Sequence, residues 1–423
     1  MPAANEDTYA RIFRRLIPFL LFCYICSYLD RINVGFAKLQ MVKELGFSDT
    51  AYGLGAGIFF AGYFLFEVPS NIIMLKTGAR FWIGRIMITW GVISGAMMFV
   101  HSETMFYVLR FLLGLAEAGF IPGVLYYLNT WFPAQAKGRA TGMFMSGIPL
   151  AGMIGAPLSG WIMSGLNGAY GMSGWQWVFL VESIPSLIAG VACFFWLDDR
   201  PETAKWLNAE EKATIAAAHK AENAQKQFHN KMDGFAKKNV WLLSALYYTF
   251  MMGLYAIGFW LPSIIATSGV TDPATLGLLT SIPYGTAFLT ILVVGRNSDK
   301  RRERRWHLTV PAVIGALGLA ASVLVAHNVA LAMVALTIAT AGILTCVPQF
   351  YVIPPMIFSG GAVAVSLAVI NSVGNVAGFV SPYLIGYIKD STGSTTIGVL
   401  IVAAFLLVGG ACVQLIPRQS VNR

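Results

Sequence analysis

Six ionisable side chains lie within stretches of sequence that are otherwise apolar. A charge at the centre of a bilayer costs about 2.5–3.5 kcal/mol on insertion scales, so residues of this kind are rare and usually functional. All six lie in the first half of the chain, whereas the apolar stretches between positions 240 and 387 contain no acidic or basic residue. The pattern predicts charge-dependent chemistry in the first half and neutral hydrogen-bonding groups in the second. The six residues are Asp30, Arg31, Glu67, Arg110, Glu117 and Glu182.

Two of these residues are expected at the same depth in a membrane, and Glu117 is expected close to the midplane. Asp30 would lie about 21 Å from the inner end of the first helix, and Arg110 about 9 Å from the outer end of the fourth, at roughly 1.5 Å per residue. In a hydrocarbon core about 30 Å thick these depths coincide, so an Asp30–Arg110 pair is geometrically feasible. Glu117 follows Arg110 by about two helical turns on the same face. Asp30 and Arg31 are adjacent and point about 100° apart.

The residue types predict a role for each group. A guanidinium offers a permanently charged, forked set of donors that suits a carboxylate. We therefore predict that Arg31 binds a substrate carboxylate, and that Asp30 and Glu117 take up and release a coupling proton. Low dielectric favours the protonated form of a carboxylic acid and a nearby arginine favours the ionised form, so an anion that binds the arginine shifts the proton equilibrium. The alternative is a fixed ion-pair cluster that only holds helices together.

For the other three charged residues a structural role is predicted or remains an alternative. Arg110 is predicted either to contact the substrate or to belong to such a structural cluster. Glu67 and Glu182 are predicted to be structural partners of other side chains.

The second half offers neutral candidates for substrate binding. Asn371 and Asn375 are four residues apart and share one helix face. They are predicted to contact the substrate or, alternatively, to join neighbouring helices by hydrogen bonds. Tyr255 is a further candidate, for which packing or lipid contact is the alternative. Four other residues have the same two interpretations: Tyr247, Tyr248, Gln349 and Tyr351.

The composition indicates the elements that must position these groups. Of 423 residues, 57% are hydrophobic and 12% are charged, about half the charge of a typical soluble domain. This balance excludes a soluble enzyme, a disordered chain and a secreted disulfide scaffold. No P-loop, metal-ligand spacing or nucleophile motif is present, so we predict no catalytic activity, cofactor or metal. A membrane location explains the net charge of +9 better than nucleic-acid binding does.

Twelve apolar stretches are long enough to cross a bilayer. We therefore predict an all-α polytopic membrane protein with twelve transmembrane helices in two six-helix bundles, residues 1–197 and 240–423, joined by a polar linker, 198–239. The halves repeat weakly, because GAPLSG at 155–160 corresponds to SPYLIG at 381–386. Asn208 and Glu211 are spaced as a capping box, which predicts a short helix in the linker. Lys and Arg concentrate on one side of this topology, so both termini are predicted to be cytoplasmic.

Two segments resemble the major facilitator superfamily, and more narrowly its anion:cation symporters. They are YLDRIN at 28–33 and RFLLGLAEAGFIP at 110–122. Three further segments resemble the tartrate, phthalate and 4-hydroxyphenylacetate permease branch: FEVPSN at 66–71, GWQWVFLVE at 174–182 and INSVGN at 370–375. One departure concerns the inner gate. GRNSDK at 295–300 keeps the first part of the superfamily's loop signature, but Leu75 occupies its aspartate position after the second stretch.

The resemblance implies a proton-driven importer of organic acid anions in the bacterial inner membrane. It matches the span-one motif to Asp30 and Arg31, the span-four motif to Arg110 and Glu117, and an asparagine of span eleven to the 371–375 region. Tartrate is the leading substrate, with other hydroxy and aromatic acids as alternatives, and a monomer is expected. An exporter or exchanger of the same anions is a second hypothesis. A transporter-like sensor of organic acids is a third.

Overall fold

The structure is a computed structural model that describes residues 3–225, 238–358 and 361–422. Part of the predicted linker, 226–237, lies outside the described residues. Helices and short connections account for the described chain, in which no strand occurs. Twelve helical segments are long and apolar enough to cross a membrane, as the sequence predicts.

Six spans belong to the first half of the chain. Three of them begin at a serine cap, as at Ser48, whose hydroxyl accepts a hydrogen bond from the backbone N–H of Ala51 at 2.9 Å and so satisfies a free donor of the helix end. Spans 1 to 6 are Asp7–Leu45, Asp49–Thr77, Ala79–Phe99, Glu103–Trp131, Lys137–Gly165 and Gly174–Trp196.

The second half contains the other six spans. The helix Ala209–Gln225 lies between the two sets, and it begins at the predicted capping box. The N–H of Glu211 donates to Asn208 Oδ1 at 2.8 Å, and the N–H of Asn208 donates to the Glu211 carboxylate at 2.8 Å. Spans 7 to 12 are Lys238–Thr267, Pro273–Arg301, Trp306–Leu324, Val329–Ile357, Ser366–Thr392 and Thr396–Leu415.

Several spans consist of two helices each, and the break in span 4 bears on the site. The helix Glu103–Glu117 ends just before Gly119, and Phe120–Trp131 follows. Gly119 has a φ of 87°, a left-handed conformation that favours glycine. Span 1 divides into Ala3–Ile32 and Val34–Leu45. Span 5 divides into Ala134–Met145 and Gly147–Gly165. Span 10 divides into Val329–Tyr351 and Pro354–Ile357.

One end of the bundle carries both termini and the linker helix, and we call it the terminus side. Arg11 Nη1 contacts Glu211 Oε1 at 3.0 Å, which ties the N-terminal segment to the linker helix. Near the C-terminus, Asn422 Nδ2 donates to Glu303 Oε1 at 3.0 Å. Partial burial raises the pKa of Glu303, but hydrogen bonds from Trp306, His307 and Asn422 outweigh it, so this pKa lies below its ordinary value.

The two halves pack together mainly toward the opposite end, which we call the far side. Span 2 packs on span 11, the helix Gly147–Gly165 of span 5 packs on span 8, and Val34–Leu45 of span 1 packs on span 7. Spans 5 and 8 approach so closely that a Cβ at Gly160 would overlap the backbone of Pro273. The terminus-side segments of spans 1 and 5 make no comparable contact with the second half in the described residues.

Candidate functional site

A cavity lies between the two halves and encloses about 730 Å³ of space, including its open mouth. Spans 1, 2, 4 and 5 form one wall, and spans 7, 10 and 11 form the other. Tyrosine, phenylalanine and aliphatic side chains supply most of the lining. Four lining side chains are charged or carry a carboxamide: Arg31, Glu67, Asn371 and Asn375. A largely apolar pocket with a few convergent polar groups is typical of a small-molecule site.

Arg31 and Glu117 form a buried ion pair at this cavity. Arg31 Nη2 donates to Glu117 Oε1, and the hydroxyl of Ser27 donates to the same oxygen at 2.8 Å. Arg31 is 6% exposed and Glu117 is 1% exposed, so the pair is almost fully desolvated. The guanidinium carbon of Arg31 lies 5.5 Å from the ring centroid of Tyr63, within the range of a cation–π contact.

The Arg31 guanidinium also keeps an unused donor. Its Nε is buried and has no hydrogen-bond partner among the described residues. Because an unpaired buried donor is costly, an anionic ligand that reaches this nitrogen would gain a strong, charge-assisted hydrogen bond. Of the predicted proton-carrying and substrate-binding residues, Arg31 and Glu117 are therefore brought together.

Asp30 points away from the cavity, toward spans 3 and 6. Its carboxylate accepts hydrogen bonds from Trp90 Nε1 at 3.0 Å, from the hydroxyl of Ser94 at 2.8 Å and from the hydroxyl of Ser186 at 2.5 Å. The residue is 1% exposed and does not line the cavity. Adjacent residues on a helix point in different directions, and here Asp30 and Arg31 face different neighbours.

Arg110 lies in the wall behind the cavity lining. Its Nε donates to the carbonyl of Gly55 at 3.3 Å, and its Nη2 donates to the carbonyl of Ala56 at 3.4 Å. The side chain is fully buried and is not among the lining residues. Gly114 makes this contact feasible, because a Cβ there would overlap the backbone of Phe59 and push span 4 away from span 2.

The pair suggested by depth, Asp30 with Arg110, is absent from the described structure. The structure does not adopt this geometrically feasible pairing, because equal depth does not fix the direction of a side chain. Asp30 is satisfied by three side-chain donors of spans 3 and 6. Arg110 is directed at backbone carbonyls of span 2.

The second half supplies a neutral wall to the cavity. The hydroxyls of Tyr247 and Tyr351 are 2.9 Å apart, and the Tyr351 hydroxyl donates to Asn371 Oδ1 at 2.7 Å. Nearby, the Tyr255 hydroxyl donates to Asn375 Oδ1 at 3.3 Å. All five side chains line the cavity. The structure therefore brings Tyr255, Asn371 and Asn375 to one face, opposite Arg31.

Two acids predicted to be structural have different surroundings. Glu182 accepts a hydrogen bond from Ser159 at 2.6 Å in a buried site away from the cavity. Glu67 lines the cavity instead, and its carboxylate has no hydrogen bond or ion pair in the described part of the chain. Phe60 and Tyr63 also line the cavity, and their spacing places them on one helix face with Glu67. This spacing is the feature of the sequence that could have indicated a cavity position for Glu67.

An ionic cluster on the far side closes the cavity at that end. Lys38 Nζ lies 2.6 Å from Asp49 Oδ1, and Lys389 Nζ lies 2.9 Å from Asp49 Oδ2, so the two halves share one carboxylate. Asp390 accepts hydrogen bonds from the backbone N–H groups of Asp49 and Thr50 at 3.0 and 2.7 Å. Because the contacts between the halves are concentrated here, the cavity opens toward the terminus side.

Comparison with known proteins identifies the family. The model of the Major Facilitator Superfamily matches residues 20–382. The "Putative metabolite transport protein NicT" of Pseudomonas putida is 47% identical, and the match covers 100% of both chains. A "Putative tartrate transporter" of Agrobacterium vitis is 45% identical, with 98% of this chain and 93% of that protein covered.

A solved structure shares the fold. It is the crystal structure of a bacterial homologue of the human lysosomal transporter Spinster in an inward-facing, unoccupied conformation. The TM-score is 0.77 at 16% identity, and the match covers 100% of this chain and 98% of that one. The chain belongs to the major facilitator superfamily and is a multi-pass membrane transporter, not an enzyme.

Proposed function

We propose that this protein is a proton-coupled secondary transporter that imports a small organic carboxylate by alternating access. The observation that carries the proposal is the buried Arg31–Glu117 pair at the wall of a cavity between the two halves. A mid-membrane pair of opposite charges is costly to maintain for structure alone. The names of the two curated relatives agree with a small metabolite, and one of them names tartrate, a carboxylate.

In this proposal Arg31 binds the carboxylate of the substrate. The guanidinium presents parallel donors to an anion, and its Nε has no partner in the described structure. Asn371, Asn375 and Tyr255 orient the substrate from the opposite wall through hydrogen bonds. Arg110 acts from behind the lining: it holds spans 2 and 4 together and adds positive charge to this region.

Coupling to protons follows from competition for Arg31. A substrate carboxylate displaces Glu117 from the guanidinium, and a carboxylate that loses its cation in a low-dielectric site takes up a proton more readily. Substrate and proton therefore load together. Asp30, adjacent to Arg31 in sequence, is the second proton carrier of the proposal. It is held by three hydroxyl or indole donors, which protonation would partly release.

In alternating access, the two halves would separate at the far side and come together at the terminus side, so that the cavity opens to the other side of the membrane. We propose the division at residues 197 and 240 as the boundary between two bundles that rock against each other around the cavity. With both termini in the cytoplasm of a bacterial inner membrane, the described conformation faces inward. The far-side cluster around Asp49 would then be the outer gate, and it opens when Lys38 and Lys389 separate from that carboxylate.

The test is proton movement in proteoliposomes. The carboxylate is first chosen from a panel of small organic acids by its thermal stabilisation of the purified protein, since a ligand that binds only the folded state raises its stability. Addition of that acid outside the vesicles should then make the external medium more alkaline, and a protonophore should abolish accumulation. Accumulation at full rate, independent of any pH gradient, would show that the transport is not proton-coupled.

A further inference from the structure

Glu182 is a buried acid that has no part in the proposed function. It lies on span 6, is fully buried and does not line the cavity. One oxygen of its carboxylate accepts a hydrogen bond from Ser159 at 2.6 Å, whereas the other, Oε2, has no hydrogen-bond partner in the described part of the chain. An unpaired polar atom in the interior is costly, so its position calls for an explanation.

Glu182 faces Asp30 across the contact between spans 6 and 1. Ser186, one helical turn after Glu182, donates to Asp30 at 2.5 Å, and the two carboxyl groups are close enough to interact electrostatically. Asn33, one turn after Asp30, interacts with Glu182, yet its buried carboxamide forms no hydrogen bond of ordinary geometry among the described residues. Because these spans are antiparallel, two successive turns of one helix meet two successive turns of the other.

Neither acid forms an ion pair within the described ranges. Arg31, the arginine next to Asp30 in sequence, is paired with Glu117. The other titratable groups that interact with Asp30 are the Glu117 carboxylate and the Cys26 thiol. Two interacting carboxylates without a cation cannot both stay ionised in a low-dielectric interior. The Asp30–Glu182 pair therefore holds at least one proton, which either acid can carry.

The two acids lie in series between the far side and the Arg31–Glu117 pair. Span 6 begins at the far side. At roughly 1.5 Å per residue, Glu182 lies about 12 Å from that end, and the turn that contacts Asp30 lies about 18 Å from it. Arg31 follows Asp30 and holds Glu117. From the far side inward, the acids therefore come in the order Glu182, Asp30, Glu117.

We propose that Glu182 is a further proton-carrying residue, and that protons reach Glu117 through the first bundle instead of through the substrate cavity. Glu182 takes up a proton from the far side and passes it to Asp30. Glu182 becomes a carboxylate as Asp30 becomes a carboxylic acid, so the charge of the pair is unchanged. Asp30 then supplies the proton that Glu117 binds when the substrate displaces it from Arg31. This inference rests on the proposed function, because it requires coupling between proton and substrate.

The alternative is that Glu182 only joins helices. Its hydrogen bond from Ser159 links span 6 to span 5. Glu182→Gln keeps an oxygen that accepts this bond but cannot take up a proton, whereas Ser159→Ala removes the bond and keeps the acid. The two substitutions separate the roles, because a proton relay depends on the acid and a structural contact depends on the bond.

The experiment uses the full chain in proteoliposomes. The radiolabelled substrate is tartrate, or the acid of the panel that stabilises the wild type most. Accumulation driven by a pH gradient and counterflow exchange are measured for the wild type, Glu182→Gln, Glu182→Asp and Ser159→Ala. Glu103→Gln, which removes an exposed acid at the far side, is the control for loss of one negative charge. Dissociation constants from calorimetry show that each variant is folded.

Glu182→Gln should lose about tenfold or more of the gradient-driven accumulation, as expected when a proton-transfer group is removed. It should keep substrate affinity and counterflow, because neither requires a proton to pass from the far side. Glu182→Asp retains an acid and should recover part of the accumulation. Ser159→Ala and Glu103→Gln should accumulate substrate nearly as the wild type does.

Three results overturn the inference and leave the proposed function intact. The first is normal accumulation in Glu182→Gln. The second is loss of accumulation in Ser159→Ala, which would make the contact between spans 5 and 6 the important feature, and this result decides even if Glu182→Gln does not fold. The third is loss of counterflow together with accumulation in a Glu182→Gln variant that still binds substrate. A wild type whose accumulation ignores the pH gradient instead refutes the proposed function, and this inference with it.

Discussion

The two walls of the cavity hold their polar groups in different ways. In the first half, Arg31 and Glu117 form a buried charged pair. In the second half, Tyr247, Tyr351 and Asn371 form a series of neutral hydrogen bonds. A charged pair responds to the arrival of an anion or a proton, whereas a neutral series only re-orients. The difference indicates that coupling belongs to the first half and that substrate orientation belongs to the second.

Typical energies support this division. Breaking a buried ion pair by removing one partner costs about 3–5 kcal/mol, because a charge is left uncompensated. Removing one neutral hydrogen bond costs about 1 kcal/mol. Substitutions in the charged wall should therefore have much larger effects than substitutions in the neutral wall, and the comparison fails if they do not.

The largest effect is expected at Arg31. Arg31→Lys keeps the positive charge but loses the planar fork, so carboxylate affinity should fall by roughly 100-fold, within the range for a truncated buried charge pair. Isothermal titration with the acid selected by thermal stabilisation measures this loss. Arg85→Lys is the matched control, because Arg85 stacks on Trp82 at 3.8 Å and lies outside the cavity. Wild-type affinity in Arg31→Lys would contradict a forked contact.

Glu117→Gln should separate binding from coupling. The glutamine keeps the shape of the side chain and cannot take up a proton, so substrate exchange across the membrane should continue while accumulation driven by a proton gradient is lost. Counterflow and gradient-driven uptake of radiolabelled substrate in proteoliposomes measure the two activities. Glu103→Gln should retain both. Unimpaired accumulation in Glu117→Gln would remove this residue from the proton pathway.

The sequence predicts the fold and part of the site for identifiable reasons. Helix length and apolar composition identify the twelve spans, and a two-residue pattern identifies the cap at Asn208. The residue types and the rarity of charges within apolar stretches identify Arg31 and Glu117 as candidates. These features depend on local sequence or on simple geometry, which a single chain reveals.

The remaining features depend on the rotation of each helix against its neighbours. Asp30 faces Trp90 and two serines, and Arg110 faces backbone carbonyls that side-chain patterns do not reveal. Glu67 was predicted to have a structural role. An acid near a helix end has several interpretations until the opposite wall of the cavity is known. Each of these outcomes is set by packing between distant segments, such as the close approach of spans 2 and 4.

The smallest effects should come from the neutral wall, and they should follow hydrogen-bond geometry. Tyr351→Phe removes a hydroxyl that donates to Asn371 Oδ1 at 2.7 Å and contacts Tyr247 at 2.9 Å. Loss of about 1 kcal/mol corresponds to roughly fivefold weaker substrate binding. Tyr255→Phe removes a longer bond, 3.3 Å to Asn375 Oδ1, so binding should weaken by about twofold or less.

Tyr248→Phe is the control for both substitutions. Tyr248 packs against Phe405 at 6.0 Å and does not line the cavity, so its hydroxyl should have no effect on substrate affinity. Dissociation constants for the three variants, measured with one carboxylate, give the order Tyr351, Tyr255, Tyr248. A hundredfold loss of substrate affinity in Tyr351→Phe would contradict the proposed difference between the two walls. A neutral hydroxyl with an effect as large as that of Arg31 would have to take part in coupling.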